Sequence, residues 1–114
     1  MISRWDFYLL NFPLMKPTVS LAFQIMPKVD SHTQAIELID TAIEIIKKSG
    51  VSYEVGPMET TMEGENLDEL LAIVKKAKDV CLRHGAHSVF INMKVLCNPS
   101  GTMTIHEKTA KHRK

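Results

Sequence analysis

The stretch Tyr53-Glu54-Val55-Gly56-Pro57-Met58-Glu59-Thr60-Thr61-Met62-Glu63-Gly64 constrains the fold of this chain more than any other. It reads as two short strands, 52–55 and 58–63, hinged at Gly56-Pro57. Glycine admits dihedrals closed to other residues, and proline fixes φ and lacks a donor, so the pair marks a turn. In the second strand Met58, Thr60 and Met62 share one face, and Glu59, Thr61 and Glu63 share the other. Two acids and a hydroxyl therefore line one side of a strand whose other side is mostly apolar.

The flanking chain supplies a helix on each side of this hairpin and a strand beyond each helix. Residues 18–26 alternate, with Val19, Leu21, Phe23 and Ile25 opposed to Ser20, Ala22, Gln24 and Met26, and Pro27 is expected to end that strand. Ser31 with Gln34 gives a capping box for a helix whose buried stripe is Ile36, Ile39, Ile43 and Ile46, stopped at Gly50. Asn66 with Glu69 starts a second helix with Leu67, Leu70, Leu71, Val74, Ala77 and Cys81 on its apolar face, closed by Gly85. Residues 87–97 alternate again, with Val89, Ile91, Met93 and Val95 opposed to Phe90, Asn92, Lys94 and Leu96. Thr104 with Glu107 caps a short third helix over about 105–112.

The order strand, helix, strand, strand, helix, strand is the split βαβ plan of an α+β, ferredoxin-like fold. Right-handed crossovers put both helices on one face of a four-stranded antiparallel sheet, with the first and third strands inside and the last strand beside the first. The aliphatic set Val19, Leu21, Phe23, Ile25, Met58, Met62, Val89, Ile91 and Met93 belongs under the helices. The other face carries Ser20, Gln24, Met26, Glu59, Thr61, Glu63, Phe90, Asn92 and Lys94. A face that mixes apolar and polar groups in this way is usually covered by a subunit, a ligand or both.

Composition sets the bounds. At 114 residues the chain is one domain, able to bury roughly two-thirds of its unfolded surface. A formal net charge of +1 gives no footprint for nucleic acid. No apolar run is long enough to span a membrane. Cys81 and Cys97, without C-x-x-C spacing, read as reduced thiols of a cytoplasmic protein, although one bridge between them stays open. Residues 1–14 hold Trp5, Phe7, Tyr8 and Phe12, four of the seven aromatics, but Asp6, Asn11 and Pro13 interrupt any signal-like run. They read as an N-terminal extension ahead of a start at Met15, with the domain proper over 15–114.

Ala22-Phe23-Gln24-Ile25-Met26-Pro27, the whole 53–64 stretch, Leu67-Asp68-Glu69-Leu70, Asn92-Met93-Lys94-Val95 and Thr104-Ile105-His106-Glu107-Lys108 together resemble the small YkoF-like thiamine-binding proteins. The likeness runs from about Thr18 to His112 in the same order and spacing; no single short motif is diagnostic. The resemblance implies a ferredoxin-like fold, assembled into dimers and commonly tetramers, that binds thiamine or its hydroxymethylpyrimidine part without a catalytic step and without a separate cofactor.

The helix-free face of the expected sheet then holds the candidate site: Gln24, Glu59, Thr61, Glu63, Asn92 and Lys94. Carboxylate and amide groups match the donor and acceptor edges of an aminopyrimidine. A carboxylate with a soft or aromatic wall, Met26 or Phe90, suits a thiazolium cation. The plainer account makes Glu63 and Lys94 a cross-strand pair, and Gln24 and Asn92 interface hydrogen bonds. On that account the domain is a structural or regulatory homo-oligomerisation module with no small-molecule ligand.

Other chemistries find less support. Of the histidines, His84 and His87 flank a helix end, and His106 and His112 lack the i, i+4 spacing of a helical metal clamp. Cys81 lies on an apolar stripe without a base in reach of the sequence pattern. The arginines Arg4, Arg83 and Arg113 lie outside strand–helix loops, which disfavours an acylphosphatase-like hydrolase. Phe90 alone is too little aromatic surface for an RNA-binding sheet.

Overall fold

A computed structural model describes residues 16–112. The expected extension 1–14, and the boundary at Met15, lie outside the described residues. The elements are β1 (Val19–Lys28), α1 (His32–Ser49), β2 (Ser52–Val55), β3 (Thr60–Gly64), α2 (Leu67–Arg83), β4 (Ser88–Cys97) and α3 (Ile105–Thr109), the last followed by a 3-10 turn at Ala110–His112. The sheet is antiparallel in the order β2-β3-β1-β4. This is the ferredoxin-like α+β arrangement that the element order predicts.

Three side-chain caps fix the helix starts. Ser31 Oγ accepts from the Gln34 N–H, Asn66 Oδ1 from the Glu69 N–H and Thr104 Oγ1 from the Glu107 N–H. Only the third is a full capping box, because Glu107 Oε1 also accepts from the Thr104 N–H. Gly50 ends α1 in the left-handed conformation at φ 82, which a residue with a Cβ adopts at a cost.

The core lies between α1, α2 and one face of the sheet. Val19, Leu21 and Phe23 of β1 and Met62 of β3 pack with Ile46, Leu70, Ile73 and Val74. A second cluster joins Leu38 and Ala42 of α1 to Ala77, Cys81 and Ala86. Cys81 is buried and Cys97 exposed, and both are free thiols. The Cys81 S–H donates weakly to Leu38 O at 3.9 Å, and burial pushes its thiol pKa up.

Several expectations change. The α1 stripe is Leu38, Ala42 and Ile46 rather than one beginning at Ile36, which is exposed. Period-four rows and the isoleucine row lie close on a helix, and contact with α2 chooses between them. β3 begins at Thr60, not Met58, because the Gly56 N–H donates to Glu59 O and closes a four-residue loop. Met58 sits in that loop at 71% exposure instead of under the helices. Met93 is also exposed, as are all residues 92–97 of the edge strand β4.

β1 does not stop before Pro27 but continues to Lys28. Asn98 N–H donates to Thr18 O and Gly56 N–H to Glu59 O, and the ladder registers carry those orientations along the strands. Even positions of β1 thus turn their backbone groups toward β4, and odd positions toward β3. Pairing with β3 ends at Phe23–Thr60. The donor that Pro27 lacks falls on the side where the ladder has already ended.

Candidate functional site

Unequal strand lengths build the site. β1 pairs with β4 along its whole length but outruns β3 by the five residues Gln24 to Lys28. The hairpin loop 56–59 and α1 close around that free edge and leave a cavity of about 340 Å³. Its walls are Gln24, Ile25, Met26 and Pro27 from β1, Ala35, Ile39 and Ile43 from α1, and Val55 to Thr60 from the hairpin.

The walls are chiefly apolar, with polar groups at few points. Ile25, an odd position, presents its backbone N–H and C=O toward the cavity, past the last β3 partner. In an extended residue these two groups point the same way and offer an adjacent donor and acceptor. Gln24 and Glu59 are the two lining residues with an amide or a carboxylate side chain. Glu59 Oε1 accepts from the Lys94 ammonium at 3.0 Å, across β1. Gly56 is required in the loop: a Cβ there would stand 2.9 Å from Glu59 O.

The six residues expected from sequence divide between two places. Gln24 and Glu59 line the cavity. Asn92 stands opposite Gln24 in the register, and Lys94, opposite Ala22, reaches Glu59. Thr61 is next along β3, between Ala22 and Glu54. Glu63 is at the far end of the sheet, where Oε1 accepts from Ser52 Oγ at 2.9 Å and Oε2 from the Ile105 N–H at 2.8 Å. The ion pair on this face is therefore Lys94–Glu59, not Lys94–Glu63. The start of α3 lies over the same end, and Ser20, expected on an open face, is buried. Met26 belongs to the cavity wall, and Phe90 stands beside it in the register, exposed.

Sequence reasoning missed the α1 wall and the loop, assigning Ile39 and Ile43 to the core and Met58 to a strand. The available signal was the longer run of alternation around Phe23 compared with that around Met62, together with Gly56-Pro57.

Among the described residues, no helix is long and apolar enough to cross a membrane. A four-stranded antiparallel sheet, two helices on one face and a notch at the free edge of β1 define a ferredoxin-like domain. The chain belongs to the thiamine-binding protein family, whose model matches residues 21–113. It is 43% identical over 96 residues to a UPF0045 protein of Clostridium perfringens, covering 84% of this chain and 98% of the relative. Among solved structures it is similar to a domain of unknown function from Bacillus cereus, with 41% identity and a TM-score of 0.76, covering 88% of this chain and 94% of that one. It is similar also to a Thermotoga maritima protein assigned provisionally to thiamine biosynthesis or salvage, with 34% identity and a TM-score of 0.72, covering 83% and 98%. Family and neighbour both point to a thiamine-related role.

Proposed function

We propose that the domain binds thiamine or its hydroxymethylpyrimidine moiety in the cavity at the free edge of β1, as a non-enzymatic cytoplasmic carrier, buffer or sensor. The observation that carries this reading is the backbone edge of Ile25 facing a largely apolar cavity with Glu59 in its wall. An aminopyrimidine has an acceptor nitrogen beside an amino donor, complementary to that backbone pair. The thiazolium cation then meets the Glu59 carboxylate, with Met26 and Met58 as soft walls. At about 340 Å³ the cavity is near the small end of ligand sites, which run from about 300 to 1,000 Å³, and suits a one- or two-ring ligand. Family membership supports the ligand class. Of the other expected residues, Asn92 and Thr61 are not among those lining the cavity, and Glu63 bonds the start of α3.

Isothermal titration calorimetry with thiamine, hydroxymethylpyrimidine and thiamine diphosphate tests the reading, on the wild type and on Glu59→Ala. Saturable binding of thiamine or the pyrimidine, weakened for thiamine in the variant, is the expected result. No heat from any of the three at millimolar ligand rejects it.

One observation favours homo-oligomerisation, which the second reading sets in place of a ligand and which the first allows beside one. β4 is a sheet edge with Phe90 and Leu96 exposed at 64% and 54%. Exposed apolar edges are commonly covered by another chain. The assembly expected is a dimer of dimers, and sedimentation equilibrium checks it: Leu96→Lys lowers the mass if this edge is an interface, and leaves it unchanged if not.

A further inference from the structure

The Lys94–Glu59 pair has an asymmetry that bears on ligand choice. Glu59 is part of the cavity wall, and its side chain is 35% exposed. Lys94 is not part of that wall: its side chain is 72% exposed, and it comes from the neighbouring strand β4. The ammonium crosses β1 where Ala22 stands between Lys94 and Thr61 in the register, so the smallest side chain on that row leaves its path open. One end of the pair thus belongs to a residue of the cavity wall, and the other is a long, easily hydrated cation.

We propose that Lys94 is a resident cation that holds the place of a ligand's positive charge on Glu59, and so sets the preference of the site between cationic and neutral ligands. The inference rests on the cavity reading above. Before a thiazolium can take Glu59, the ammonium must leave for water. A neutral pyrimidine occupies the Ile25 edge without asking for that exchange. Lys94 therefore acts as a built-in competitor against cations alone. An exposed pair of this kind is weak, so the competition is modest, which suits a site that must both take up and release its ligand.

Calorimetric titration of the wild type, Lys94→Met and Lys94→Arg with thiamine and with hydroxymethylpyrimidine tests this. Methionine keeps the length of the stem and removes the charge. The ratio of thiamine affinity to pyrimidine affinity rises about threefold to tenfold in Lys94→Met. It stays near the wild-type value or falls in Lys94→Arg, whose guanidinium keeps the pair. A ratio that is unchanged or lower in Lys94→Met, with both ligands still bound, overturns this inference and leaves the cavity reading standing. Binding of neither ligand by any of the three proteins overturns both.

Discussion

Glu63 Oε2 accepts the Ile105 N–H at 2.8 Å and so fastens the start of α3 to the sheet face opposite α1 and α2. The other oxygen takes the Ser52 hydroxyl, which makes one half-buried carboxylate the junction of β2, β3 and the C-terminal segment. Thr102 secures the same segment from the other side, through its N–H and its Oγ1 to Pro17 O. Glu63→Ala removes both bonds and leaves the amide and the hydroxyl to find water. The expected cost is about 1–2 kcal/mol, or roughly 5–10 °C in Tm, with faster amide exchange at residues 105–109. Unchanged exchange there would show that α3 is held by something else.

Ala35 lines the cavity from the first turns of α1 and is half-buried. Ala35→Leu adds volume to empty space rather than to packed core, so stability changes by less than about 1.5 kcal/mol. Ligand affinity falls at least about tenfold, because the added side chain takes space the ligand needs. Thermal melting and calorimetric titration of the same variant separate the two effects. Full affinity in a well-folded Ala35→Leu protein would place the ligand elsewhere.

The α3 cap is sensitive to acid. The Thr104 N–H beside Glu107, helped by the Lys16 ammonium and the Thr104 hydroxyl, holds the Glu107 carboxyl below its ordinary value of 4.5. A group with a lowered folded pKa stabilises fully above its unfolded value, and loses that contribution as pH falls through the folded value. Protection of α3 amides is therefore flat above about pH 5 and declines once the pH drops below 4.5. Glu107→Gln lowers the plateau and flattens the decline, as hydrogen exchange against pH would read out. A decline of equal size in Glu107→Gln would assign it to another carboxylate.

Much of the fold is written in local chemistry. Ser31, Asn66 and Thr104 mark the helix starts because a capping side chain bonds an amide three residues on, within reach of any sequence window. Val19, Leu21 and Phe23 mark β1 because alternation is a property of the strand itself. The site is less legible because it depends on where a ladder ends. Alternation continues unbroken from Met62 back to Met58, yet the Gly56–Glu59 bond keeps Met58 and Glu59 in the turn, so β3 starts two residues later than the pattern suggests. That shift frees the edge of β1 at Ile25 and brings Glu59 to the cavity wall. Glu63 is obscured for another reason. Its partner is the backbone of Ile105, 42 positions away, and a backbone amide leaves no trace in residue identity.

The central claim is that a thiamine-class ligand lies against the free edge of β1, and amide chemical shifts read that edge directly. In a titration of the isotopically labelled protein with thiamine, the Ile25 amide moves furthest, together with Gln24 and the loop 56–59, while residues of α3 stay still. Saturating shifts confined to the exposed face of β4 or to α3, with Ile25 unmoved, would contradict the account.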